Sequence, residues 1–157
     1  MNTRKAFFLV LIFLLSITYT QGQQSIDCYK AIFTVPPQNV PTIKTPDAPL
    51  AGNGDIGITM GGTPDNLCFY IGKNDFWRAY PVYPGGIALP GGLDIAIEGL
   101  RNASYYAEQL PESAEISALF STSDCKVNLS AWVAATENKV IIELQSDKEP
   151  VSYTHLR

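Results

Sequence analysis

From residue 93 onward apolar and polar residues alternate with a period of two, and that rhythm confines this part of the chain to β structure. Leu93, Ile95 and Ile97 alternate with Asp94, Ala96 and Glu98, and Ile116, Ala118 and Phe120 with Glu115, Ser117 and Leu119. Val127, Leu129, Ala131 and Val133 oppose Lys126, Asn128, Ser130 and Trp132; Val140, Ile142 and Leu144 oppose Ile141, Glu143 and Gln145. Successive side chains of a strand point to opposite faces, so each run predicts a strand with one face in a core and one face mostly wet. Pro84-Gly85-Gly86, Pro90-Gly91-Gly92, Ser123-Asp124 and Glu137-Asn138 punctuate the runs as turns. No segment shows the period of an amphipathic helix. Several strands at close spacing with short turns predict an antiparallel sandwich or barrel, and the expected fold class is all-β, an antiparallel β-sandwich.

Residues 1–22 are laid out as a secretory leader. Arg4 and Lys5 form a basic start, Ala6 to Leu15 is an unbroken apolar stretch, and Thr20-Gln21-Gly22 offers small residues at a cleavage point. An apolar run of about ten residues falls short of the roughly 20 that span a bilayer. A secreted or periplasmic chain, free of the membrane after cleavage, is therefore expected. The net charge of −4 becomes more negative without Arg4 and Lys5, which excludes a protein that tracks nucleic-acid phosphates. Export permits disulfides, yet three cysteines cannot all pair. Cys68 and Cys125 lie in strand-like runs, and Cys28 can pair with either or with neither. With no C-x-x-C spacing and His155 as the single histidine, no zinc or other metal site and no cofactor is expected.

Residues 23–48 read as a loop segment, because Pro36-Pro37, Pro41 and Pro46 deny any long helix. The sandwich is expected over 49–157. Its strand rhythm still runs at Ser146–Pro150, and residues 151–157 look like peptide translated from adaptor DNA, so a sheet truncated at its C-terminus is expected and His155 is given no weight.

Gly52-Asn53-Gly54-Asp55-Ile56-Gly57 formally matches the dinucleotide fingerprint. That motif needs a helix opening at its end to face a pyrophosphate. Here β-branched and glycine residues follow, so the nucleotide reading fails, and no room remains for a kinase catalytic loop. The motif reads instead as a glycine-permissive turn feeding a strand, a second turn at 61–66, and a return strand Leu67–Ile71. That hairpin delivers Gly72-Lys73-Asn74-Asp75-Phe76-Trp77-Arg78 onto a loop. Amide, carboxylate, cation and aromatic side chains in such a mixture suit sugars: the polar groups take hydroxyl pairs while a ring covers the apolar C–H face. The bland reading is core aromatics with Asp75 capping a turn.

The stretch Pro49–Arg78 resembles the start of the N-terminal β-sandwich domain of six-hairpin glycosidases, the fucosidase-type family 95 and the family 65 group. Gly52-Asn53-Gly54 with Gly57 matches their turn, and Gly61-Gly62 their strand end. Asn74, Asp75 and Trp77 match a tighter-spaced version of their return-strand motif. The later strands, with a meander beginning at Tyr105–Gln109, follow the family's rhythm, so the likeness spans roughly residues 45–150. The resemblance implies a supersandwich-like domain without catalytic residues of its own, which lends loops to the rim of an (α/α)6 barrel that holds the catalytic carboxylates. It implies carbohydrate contact through Asn74, Asp75, Trp77 and Arg78.

Within the chain, Asp55 and Asp75 are the best pair for the two-carboxylate chemistry of glycoside hydrolysis. Asn102-Ala103-Ser104 and Asn128-Leu129-Ser130 are glycosylation sequons in a eukaryotic secretory pathway. Three readings stand: the non-catalytic domain of an exported glycoside hydrolase, a secreted carbohydrate-binding module using Trp77, Tyr80 and Tyr83, and a structural or adhesive β domain.

Overall fold

A computed structural model of the chain describes residues 29–42, 44–78, 86–148 and 152–156. Among them are twelve strands and no helix: β1 (Ala31–Phe33), β2 (Leu50–Gly52), β3 (Ile56–Thr63), β4 (Asn66–Lys73), β5 (Trp77–Arg78), β6 (Gly86–Ile87), β7 (Gly91–Ile97), β8 (Ser104–Leu110), β9 (Glu115–Ser121), β10 (Lys126–Val133), β11 (Val140–Ser146) and β12 (Ser152–Leu156). Two five-stranded antiparallel sheets pack face to face as a sandwich, in the orders β1-β8-β9-β10-β11 and β12-β7-β4-β3-β2. The pair β5-β6 stands apart as a small ribbon. The meander expected from Tyr105 onward is the run β8 to β11, each strand beside the next.

The alternation decides which side chains meet between the sheets. Tyr105, Ala107, Ile116, Ala118, Phe120, Val127, Leu129, Ala131 and Val133 face inward from one sheet, and Ile56, Ile58, Met60, Leu67, Phe69, Ile95 and Ile97 from the other. Phe69 and Phe120 are the largest of the fully buried side chains. Tyr105 and Phe120, directly paired across β8 and β9, hold their rings tilted with centroids 5.5 Å apart.

Tyr105 brings a cost into this core. Its hydroxyl is buried and finds no hydrogen-bond partner among the described residues. Burial pushes its ionisation well above the usual tyrosine range. A buried donor without a partner keeps its desolvation penalty, whereas removing it leaves the ring packing intact. Tyr105→Phe is therefore expected to leave stability unchanged or raise it by about 1 kcal/mol. A chemical-denaturation curve shifted to lower denaturant would contradict that.

Three sequence expectations need correction. Residues 23–48 are not all loop: Ala31–Phe33 pairs with Gln109–Ala107 as the edge strand β1, and Lys30 reaches Glu108 at 2.5 Å beside it. The turn expected at 61–66 is shorter, since β3 runs to Thr63 and β4 starts at Asn66, leaving Pro64 and Asp65 at the tip. Gly62 makes this hairpin possible, with φ at +82° and so little space that a Cβ would sit 2.2 Å from the Asn66 carbonyl oxygen. Leu144 keeps the inward parity of Val140 and Ile142 but is 37% exposed, because β11 lies at the sheet margin. The leader, Cys28 and Tyr80 and Tyr83 lie outside the described residues. Cys68 is on β4 and Cys125 immediately precedes β10, in opposite sheets.

Candidate functional site at one end of the sandwich

The turn between β2 and β3 is built by Asn53. Its side-chain oxygen accepts from the backbone N–H of Asp55 at 3.0 Å and of Ile56 at 2.8 Å, a local turn that asparagine forms readily. Its amide nitrogen donates to the Ala134 carbonyl at 2.8 Å, beyond the end of β10 in the other sheet. One side chain thus shapes the turn and ties the two sheets together.

The loop after β4 is stitched to this turn. The Asn74 backbone N–H donates to the Asp55 carbonyl at 2.9 Å, and the Asn74 side chain donates to the Gly54 carbonyl at 3.0 Å. Phe76 N–H donates to the Lys73 carbonyl at 3.2 Å, and Ala88 N–H to the Phe76 carbonyl at 2.8 Å. Trp77 closes the arrangement, its indole N–H donating to the Asn74 carbonyl at 2.7 Å. The ring is held at one edge yet is 63% exposed, and Phe76 beside it is 49% exposed. Core burial of the two aromatics, the bland reading of this loop, is excluded by those exposures.

Electrostatics centre on Lys73, which the sequence did not single out. Its ammonium lies 3.0 Å from Asp55 Oδ1 and 2.6 Å from Asp75 Oδ1, so one cation bridges two carboxylates. The hydrogen bond from Lys73 holds the Asp75 carboxyl below the usual aspartate range, and those to Asp75 and Asp55 raise Lys73 above the usual lysine range. A depressed carboxylate stabilises the fold above its unfolded pKa and loses that contribution as pH falls through its folded value. A raised lysine contributes below its unfolded pKa and loses its share as pH rises through its folded value. The tether should therefore hold through the neutral range, loosening below about pH 4 and above about pH 10. Carboxyl titration followed by NMR should show the Asp75 midpoint moving upward in Lys73→Met; an unmoved midpoint would deny the bridge.

The structure thus brings Asp55 and Asp75 together, but as partners of a lysine. A general acid for glycoside cleavage must keep its proton near neutrality, which calls for a raised pKa. Lys73 moves Asp75 in the opposite direction. The bridge fits a tether, and Asp75 is not poised as that acid.

Of the four residues expected to contact a ligand, Asn74 spends its amide on the Gly54 carbonyl, while Asp75, with its side chain 70% exposed, and Trp77 face solvent. The side chain of Arg78 lies outside the described residues. Ala88, joined to Phe76, precedes Leu89, which with Leu50, Thr59, Tyr70, Gly57 and Gly72 lines a shallow groove of about 330 Å³ on the outer face of β3 and β4. Among the described residues no cluster of three or more histidine, cysteine, aspartate or glutamate side chains is placed to hold a metal ion. No helix among them is long and apolar enough to cross a membrane. Compared with known proteins, the chain matches no family model and no curated protein.

Proposed function

We propose that this chain is an exported, non-catalytic β-sandwich domain of a carbohydrate-cleaving hydrolase, and that the Asn74–Arg78 segment, the loop after β4 together with β5, meets the sugar. The observation that carries the reading is the setting of Trp77. Its N–H is already engaged by the Asn74 carbonyl, so its position is fixed while most of its surface stays in water. A pre-positioned, exposed indole offers an apolar face to sugar C–H groups without an ordering cost on binding. Asp75 beside it has an exposed carboxylate suited to a hydroxyl pair. The resemblance to the N-terminal domains of six-hairpin glycosidases supports the same reading and assigns the catalytic carboxylates to a separate barrel.

Titration calorimetry of the chain against neutral oligosaccharides tests this directly. Binding without hydrolysis is expected, with Trp77→Ala weakening it at least tenfold, about 1.4 kcal/mol. Because Trp77 is exposed, its melting temperature should stay close to that of the parent chain. Equal affinity in Trp77→Ala, or turnover by the chain alone, would refute the proposal.

A further inference from the structure

We propose that β11 is a self-association edge, on which a second copy of this chain adds its own β11 antiparallel to form one continuous ten-stranded sheet. Four strands end the two sheets: β1 and β2 with three residues each, β12 with five, and β11 with seven. Among the described residues, β10 is the only ladder partner of β11. Its sequence, Val140-Ile141-Ile142-Glu143-Leu144-Gln145-Ser146, has no proline, no lysine and no inward-pointing charge, the devices by which edge strands avoid pairing. Its inward row is apolar from Val140 to Leu144 and ends in Ser146, and Leu144 is left 37% exposed although its neighbour across the ladder, Leu129, is buried.

Charge selects the register. An alignment centred on Glu143 overlaps the whole strand but sets Glu143 against Glu143, and like charges directly opposite are destabilising. Centring on Ile142 removes that clash. Val140 then faces Leu144 of the second copy, so the exposed leucine gains an apolar neighbour. On the outer face, Lys139, whose side chain is 69% exposed and pairs with Glu137 of its own chain, comes diagonal to the exposed Glu143 of the second copy, within reach of a long side chain that can bridge both carboxylates. The same pair recurs on the other side of the two-fold axis.

Sedimentation velocity of the chain over a concentration series tests this edge. A monomer–dimer equilibrium is expected. Leu144→Lys, which puts a charge on the inner row, should raise the dissociation constant at least about tenfold. Lys139→Glu should weaken the dimer at low salt, and adding Glu143→Lys to it should restore it. Both exchanged side chains are exposed, so thermal melts should show the fold intact. A monomer at every concentration would overturn the proposal and leave the edge to a strand of different sequence. A dimer indifferent to Leu144→Lys and to the charge exchange would overturn it as well.

Discussion

Phe120→Ala should lose about 3–5 kcal/mol of stability, measured by denaturant unfolding at constant m. Phe120 is fully buried at the centre of the meander, paired to Val127 on one side and to Tyr105 on the other. Truncation removes its transfer free energy and leaves a cavity that two rigid sheets cannot collapse to fill. A domain of this size holds about 5–15 kcal/mol in total, so the variant should retain only part of its native population at physiological temperature. A loss under 1 kcal/mol would mean that the two sheets do not close over this residue.

Gly62→Ala should be the second most damaging substitution. At φ of +82° an L side chain is strained, at about 1–3 kcal/mol. Here the added Cβ would also lie 2.2 Å from the Asn66 carbonyl oxygen and 3.1 Å from the Cys68 nitrogen, both backbone atoms that cannot swing aside. Gly54 is the control: φ is +93°, but nothing lies within 4 Å of the Cβ position, so Gly54→Ala should cost the strain alone. Melting temperatures should rank Gly62→Ala well below Gly54→Ala. Equal values would show that the β3–β4 hairpin does not close as described.

Period-two alternation made β7 and β9 to β11 legible, because parity alone says which side chains share a face, whereas β8 was expected only through the resemblance. Parity does not say whether the opposite sheet extends far enough to cover them, and Leu144 shows the difference. β1 escaped notice because three residues are too few to display a period, and its strand character comes from its pairing with β8. The loop after β4 was legible from residue types, since amide, carboxylate and aromatic groups crowd into a few positions. Lys73 was not. Its partnership with Asp55 depends on hairpin register: with two residues at the tip, Ile56 falls opposite Lys73, whereas a tip spread over 61–66 leaves that pairing undefined. Asn53 was legible only as part of a turn motif, because its bond to Ala134 spans 81 residues between the two sheets.

The central claim, that Trp77 is a pre-positioned sugar-stacking surface, is most directly tested by fluorescence. The chain has two tryptophans, Trp77 and the half-buried Trp132 on β10, so Trp132→Phe leaves Trp77 as the sole indole reporter. In that variant, emission should begin at the long wavelength of an exposed indole. Titration with neutral oligosaccharides should then shift it toward shorter wavelength and saturate, and adding Asp75→Asn should move the midpoint to at least about tenfold higher sugar concentration. An emission spectrum that stays constant across a panel of oligosaccharides would contradict the account.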